Sequence, residues 1–520
     1  MKSVHQTPAR TIARSVLGVV CLAGIASGCG GSPAATDALG DGLRDEAESL
    51  AQELRAPSRG GPGRTTGRHR HRRGHAGGGS HGGGAPPPPA CNFSDQDSLF
   101  QTINADLAFL DADDQPFTRY FTLADRAAVV GCGAALDADR AALTKLINSV
   151  SIDAALEAPT PVNVDETLYR IDLRDFAWDR PILVGAARFD DAWEALIAQS
   201  PYALPYVGDD ADDAAEDTGT TIPVLFGSAF VAAAARAPLY YSLLDIPADS
   251  DDFLENELAI DVSTEESVHA GFSADTRVGE ADFLAQRFDI EVRAGVVWQI
   301  SEFGADLFDD PLGAARGERE IVFTLPNGLQ GHILADGNGR VKATSELLAD
   351  RSESDGRARI ATSFFNSRAG GVELEDEVRA FVQANPGNFN AAERAAILAA
   401  YPPAAELQQL LAADRDAFFA RALTRLDLDI DATPEPISQS FADFSADVDL
   451  ATAAGELFVS AEELGDNLEL LDPVFSVFAG GGRIDRDDFT LLYPGAVCIL
   501  GTVLNNQVDP AVCDELFGNP

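Results

Sequence analysis

Apolar residues recur at three- and four-residue spacing through "DSLFQTINADLAFLDAD" and "DADRAALTKLINSVS", so the spacing predicts a helical segment over residues 95–150. In "ETLYRIDLRDFAWD" the period shortens to two. Leu168, Arg170, Asp172 and Arg174 alternate there with Tyr169, Ile171, Leu173 and Asp175. That is the pattern of a strand whose charges must find partners on one face. "DDAWEALIAQSPY" predicts a short amphipathic helix, and "DDADDAAEDTG", residues 209–219, an acidic loop. "VLFGSAFVAAAARAPLYYSLLDIP" predicts a helix ending before Pro238, and "GVVWQISEF" a strand.

The two β-rich runs of "REIVFTLPNGLQGHILADGNGRVKA" flank "PNG" and lead into a "DGNG" turn, which predicts a β-hairpin. From Glu373 onward the period is helical, through "EDEVRAFVQAN", "NAAERAAILAAY" and "AAELQQLLAADRDAFFARAL". It stays helical through "DVDLATAAGELFVSAEELGDNLELL" and ends at "RIDRDDFTLLY". The fold class read from these periods is α+β. It comprises a helical N-terminal segment, a mixed middle region with a β-hairpin, and a mostly α-helical C-terminal module. The expected boundaries are a mixed body over residues 91–345 and a helical module over 346–520.

Residues 1–90 follow neither period. Lys2, Arg10 and Arg14 precede "SVLGVVCLAGIAS", an apolar run too short to span a bilayer as a mature helix. It runs into "ASGC", which reads as a lipoprotein processing site although Ala26 stands where Leu is commoner. Residues 1–28 are therefore expected to be a signal peptide, with Cys29 lipidated. The lipid would anchor the protein to a membrane in the cell envelope, facing the periplasm or the cell surface. Residues 29–90 read as a disordered Gly/Arg/His/Pro-rich tether. Its His69, His71, His75 and His81 could take a metal, and its arginines could touch anionic lipid; a soluble spacer is the simpler reading. "GGSHG" from Gly78 matches the hydrolase elbow string, but it sits in a glycine run with neither strand nor helix around it.

Charge separates the two parts. Residues 1–85 carry 11 basic and 6 acidic side chains, and the remainder carries 27 basic against 77 acidic. So acidic a body repels nucleic acid and anionic membrane surfaces, which excludes nucleic acid as a partner. Its only lysines are Lys145 and Lys342. Carboxylate runs at 209–217 and at Asp427, Asp429 and Asp431 resemble calcium loops only in part, because the fixed ligand spacing and central glycine are missing. Beyond Cys21 and Cys29, Cys91, Cys132, Cys498 and Cys513 remain, an even number suited to an oxidising compartment. Three pairings are possible. Cys91–Cys132 and Cys498–Cys513 are favoured, since each closes a local loop at one end of the body.

Several segments in order, "TRYFTLADRAAVVG", "LTKLINSVSID", "LYRIDLRDFAWD", "APLYYSLLDIP", "IVFTLPNGLQGHIL" and "DEVRAFVQAN…ERAAILAAYPP", resemble exported bacterial cytochrome c domain-containing proteins. The resemblance runs from about residue 97 to 495. It implies a mixed N-terminal region followed by a helical module carrying covalent haem on a CxxCH motif. That motif belongs between the "LPNGLQG" hairpin and the "DEVR" helix, where this chain has "TSFFNSRAGG". Sliding CxxCH onto this stretch puts Ser363, Asn366 and Ser367 where two thioether cysteines and the proximal histidine would stand. Covalent haem needs thiols for its vinyl groups and an imidazole for its iron, and these side chains supply neither. The stretch therefore reads as a degenerate haem site.

Composition agrees. No CxxCH occurs in the chain, Met1 is its only methionine, and only His269 and His332 lie beyond the tether. No HExxH, phosphate-binding loop or dinucleotide fingerprint is present. The expectation is a lipid-anchored, non-catalytic envelope protein that binds no haem and works through an envelope protein partner. Two alternatives stay open: an electron carrier with non-standard haem ligation by His269 or His332, and an envelope hydrolase.

Overall fold

The computed structural model describes residues 95–517, apart from 304–306, 314–316, 351–352, 354 and 505–507. The expected signal peptide, Cys29, the tether with its four histidines, and Cys91 all lie outside the described residues.

The first elements are helix α1 (Gln96–Leu107), strand β1 (Thr118–Thr122), helices α2 (Ala124–Val130) and α3 (Asp137–Ser149), and strands β2 (Thr160–Pro161) and β3 (Leu168–Asp172). A small hairpin of β4 (Ile182–Val184) and β5 (Ala187–Phe189) follows, then α4 (Ala192–Gln199), α5 (Asp209–Thr218), β6 (Val224–Phe226), α6 (Gly227–Ala234) and α7 (Leu239–Leu243). A four-stranded sheet forms in the order β2-β3-β1-β6, with β1 antiparallel to β3 and parallel to β6. The charges of β3 find the partners that their alternation demands. Arg170 meets Asp106 at 2.7 Å, and Arg174, just past the strand, meets Asp114 at 2.7 Å.

Three expectations for this region need correction. The segment 95–150 is not helical throughout, because "TRYFT" forms β1 with all five residues buried. Arg119 is tolerated inside it because its guanidinium donates to the carbonyls of Pro116, Thr118 and Thr218. Residues 209–219 are not a loop but mostly helix α5. Ala211, Ala214 and Thr218 share one buried face and the first two pack with the apolar face of α1, while Asp209, Asp210 and Asp212 sit in the first turn, where the helix dipole favours carboxylates. The segment expected as a single helix before Pro238 begins as strand β6 and turns helical at Gly227, where a Cβ would stand 2.8 Å from Leu123 Cδ2.

The centre of the molecule is a five-stranded antiparallel sheet of β7 (Val268–Thr276), β8 (Gly279–Asp289), β9 (Val296–Glu302), β10 (Arg319–Thr324) and β11 (Gln330–Ala335), in the order β11-β10-β9-β8-β7. β9 and the β10–β11 hairpin stand where the sequence pattern predicts them. β7 and β8 have no such signal, because small and polar residues interrupt the alternation on both faces. Two short strands, β12 (Thr344–Ala349) and β13 (Arg357–Arg359), pair next, so the region after residue 345 opens with strand rather than helix.

Every later labelled element is a helix: α8 (Thr362–Ser367), α9 (Val378–Ala384), α10 (Ala391–Ala400), α11 (Ala404–Asp414), α12 (Ala420–Arg425), α13 (Pro436–Ser445), α14 (Leu450–Glu456), α15 (Ala461–Asn467), α16 (Arg486–Leu504) and α17 (Pro510–Phe517). The architecture is thus α+β. A single hydrophobic cluster joins Phe121 and Leu146 to Ile333, Phe365, Phe419 and Ile437, so packing runs across residue 345.

The central sheet is covered on both faces. Ala270, Phe283, Ala285, Trp298, Ile300 and Val322 face Leu407 and Leu411 of α11. On the other face, Ile321, Phe323 and Ile333 join the N-terminal core, and Leu284 packs with Val378, Ile397 and Tyr401. Its edges are closed as well. On β11 the His332 and Leu334 N–H groups donate to the hydroxyls of Tyr240 and Tyr241, at 3.0 and 3.1 Å. On β7 the Gly271 N–H donates to Asp376 at 2.9 Å, and the Gly271 carbonyl accepts from Glu377 N–H at 2.7 Å. Such contacts satisfy the unpaired backbone groups that make an edge strand a template for association.

Cys498 and Cys513 form a disulfide between α16 and α17, and Cys132 is also disulfide-bonded. Reducing the first opens a loop of sequence separation 15. Cys513→Ser is expected to lower unfolding stability by about 3 kcal/mol on the chain-entropy estimate. Urea denaturation of the variant against the parent, with Cys132 left oxidised in both, checks this.

Candidate functional site

The stretch matched to the haem motif folds as helix α8. Ala361 precedes it with φ of 64° and ψ of −67°, a γ-turn closed by the Thr362 N–H on the Ile360 carbonyl at 2.9 Å, which turns the chain sharply from β13 into the helix. The turn sends Phe364 and Phe365 inward, 3% and 4% exposed, and leaves Asn366 and Ser367 on the surface. Ser363 is buried, but its hydroxyl is already engaged. It accepts from the Arg359 N–H at 2.9 Å and donates to Asp350 at 2.6 Å. The three positions matched to CxxCH therefore point in different directions and do not converge on one space.

Phe364 and Phe365 close instead around His332 on β11. The imidazole stacks on Phe364, centroids 5.9 Å apart, and meets Phe365 edge-on at 5.7 Å. Tyr240 packs edge-on against Phe365 at 6.2 Å. Two ion pairs flank this cage. Lys145 of α3 reaches Glu435 at 2.8 Å, with its ammonium 5.9 Å from the Phe365 ring centre and 5.4 Å from that of Phe419. Glu435 uses its other oxygen to cap α13, accepting from the Ser438 N–H at 2.7 Å. Arg368 grips Glu320 of β10 with two hydrogen bonds, at 2.6 and 3.0 Å. Each buried charge thus has an opposite charge on a different element, the condition under which burial of charge is tolerated.

His332 itself is neutral. Burial, reinforced by the charges of Arg368 and Lys145, pushes its pKa down to about 3. Its Nδ1 has no hydrogen-bond partner among the described residues. His269 is elsewhere, on β7, with Nε2 2.9 Å from Ser267 Oγ and its ring edge-on to Tyr401 at 5.2 Å. Burial lowers its pKa to about 4. The sheet register puts His332 on one row with Val322, Trp298, Arg287 and Val268, and His269 on the adjacent row with Gln286, Gln299, Ile321 and Ile333. Adjacent rows face opposite sides of a sheet, and four strand spacings separate β7 from β11 by about 19 Å. The two histidines cannot ligate one iron. The haem implied by the resemblance fits neither Ser363, Asn366 and Ser367, which offer no thiol or imidazole, nor His332, whose neighbouring space is filled by two phenyl rings.

Among the described residues no group of three His, Cys, Asp or Glu side chains is placed to hold a metal ion, and no helix is long and apolar enough to cross a membrane. Lys145, Glu435, Glu320 and Arg368 carry no motif in the sequence. The scarcity of lysine in the body is the one signal that pointed to Lys145. Comparison with protein-family models, curated proteins and solved structures finds no match to this chain.

Two measurements probe the cage. Phe364→Ala and Phe365→Ala are each expected to lower unfolding stability by about 3–5 kcal/mol, the range for buried phenylalanine; loss-free unfolding midpoints in both would contradict the burial. His332, neutral in the fold, takes a proton near 6.5 in the unfolded chain. Its contribution is therefore complete above that value and is lost as pH falls toward about 3. His332→Gln should lose less stability than the parent between pH 7 and about pH 4 in paired urea titrations.

Proposed function

We propose that the chain is a lipid-anchored protein of the cell envelope with a binding or structural role. In this reading it is a relative of the cytochrome c-like proteins in which side-chain packing stands where haem was attached. The observation that supports this is the inward turn of α8. A haem-bearing module is partly cored by its cofactor, and a lineage that lost the cofactor must leave a cavity or refill it. Phe364 stacked on His332, with Phe365 edge-on to it, is such a filling. The helices after α8 then act as scaffold, and no electron-transfer or catalytic step is assigned to them.

The envelope assignment draws on the processing signal at Cys29, the even cysteine count of the body and the Cys498–Cys513 bond. The membrane is reached through the lipid on Cys29, and the strongly acidic body keeps its own surface away from anionic headgroups. The partner is then a protein of the same compartment.

Expression of the full chain with its own leader, alongside haem-maturation enzymes, tests both halves. The purified protein is expected to show no Soret band and to carry acyl chains on Cys29 by mass spectrometry, and Cys29→Ser is expected to leave the membrane fraction. A haem spectrum would overturn the cofactor-free reading, and membrane residence of the Cys29→Ser protein would overturn the anchor.

A further inference from the structure

A second buried cluster lies where the C-terminal helices meet the N-terminal layer. Asp125 stands in the first turn of α2 and is 3% exposed. The Ser228 hydroxyl on α6 hydrogen-bonds Asp125 Oδ2, while Oδ1 has no hydrogen-bond partner among the described residues. Helix α14 crosses at close range. A Cβ on Gly455 would stand 2.9 Å from both the Asp125 carbonyl oxygen and Ala128 Cβ, so the two backbones touch at this point.

The charged groups around Asp125 are all committed to one another. Glu456, next to Gly455, is held by Arg486 of α16 at 2.8 Å through both carboxylate oxygens. Arg486 also donates to the Tyr202 hydroxyl at 3.0 Å, and the Tyr493 hydroxyl donates to the Glu456 carbonyl at 3.0 Å. Arg126 of α2 is shared between Asp139 of α3 at 3.2 Å and Asp443 of α13 at 2.7 Å. Ser440 donates to Asp139 at 3.0 Å. Among the described residues no cation pairs with Asp125.

A carboxyl in this position is favoured as the neutral acid. Burial is the main cause, the nearby Glu456 and Asp139 carboxylates add to it, and the hydrogen bonds from Ser228 and the Arg126 backbone oppose it; together they put its pKa at about 7. Ionisation would leave an unpaired negative charge between two carboxylates at a contact that Gly455 keeps tight.

We propose that Asp125 is a proton-dependent lock, holding helices α14 and α16 to α2 and α6 most firmly in acid surroundings, where it is a neutral acid, and loosening them as pH rises towards neutrality and opening releases its proton. The closed form binds a proton that the open form, with an ordinary carboxyl near 3.8, does not. The stabilisation is therefore complete below that value and is lost as pH rises to about 7. Across that window the opening constant rises tenfold per pH unit, about 50-fold between pH 5 and pH 7 once the approach to the upper pKa is included. The lock stands independently of the envelope reading and of the haem question.

Amide hydrogen exchange of the full chain, read by mass spectrometry at pH 5, 6 and 7, tests it. Comparison with Asp125→Asn at each pH cancels the intrinsic pH dependence of exchange. The ratio of wild-type to variant exchange in peptides covering Leu450–Glu456 is expected to rise about 50-fold over this range, while peptides covering Val296–Glu302 keep a constant ratio. A flat ratio at α14, or a rise that β9 follows in step, overturns the proposal. Should Asp125→Asn fail to fold, Ser228→Ala removes the hydroxyl that favours the ionised form. With exchange followed on to about pH 9, the rise at α14 must then level off at a higher pH than in the wild type, and an unmoved upper limit overturns the lock.

Discussion

The edges of an antiparallel sheet buried on both faces carry backbone N–H and C=O groups that the sheet itself leaves unpaired and that need partners. This constraint organises the central part of the molecule. Strand β11 has its outward N–H groups taken by two consecutive tyrosine hydroxyls, Tyr240 and Tyr241. Strand β7 has its own taken by Asp376 and Glu377 at the start of α9. Helices α7 and α9 are thereby fixed at opposite edges, and with them the N-terminal core on one side and the C-terminal helices on the other. Gly271 permits the second contact, since a Cβ there would stand 2.4 Å from Val378 Cγ2.

The same economy governs charge. In a body with 27 basic and 77 acidic side chains, several of the scarce cations are spent on interior contacts. Lys145–Glu435, Arg368–Glu320 and Arg486–Glu456 each join elements far apart in sequence, and all six residues lie at least partly under other side chains. Pairs of this kind add little net stability against an apolar alternative, but losing either member strands the other. They specify which elements meet. Asp125 is the exception at the α2–α6–α14 junction, a buried carboxyl that no cation among the described residues pairs with.

The cage around His332 links these two themes. Its backbone N–H closes the sheet edge through Tyr240, its ring is covered by Phe364 and Phe365, and the Lys145–Glu435 and Arg368–Glu320 pairs stand on its flanks. A neutral imidazole among committed ion pairs and phenyl rings is a packing element. Its contacts hold the sheet, α8 and α13 together.

Periodicity alone determined the α+β class, the β10–β11 hairpin, strand β9, the amphipathic helices and the helical C-terminal run. Local caps such as the Asn390–Glu393 and Ser460–Glu463 boxes are equally local in origin. Strands β1, β7 and β8 escaped because their burial is set by partners distant in the chain. Arg119 counts as buried only because three carbonyls converge on it, and Gly271 and Ser273 suit a strand only because α9 lies against them. The acidic helix α5 escaped because its buried stripe of alanines is too weakly apolar to stand out from six carboxylates until α1 covers it. For the candidate site, the missing thiols and imidazole at Ser363, Asn366 and Ser367 were legible from residue type. Which way Phe364 and Phe365 turn, that His269 and His332 face opposite sides of a sheet, and that Asp125 meets no counter-charge among the described residues were decided only by tertiary packing, because each depends on groups that sequence separation hides.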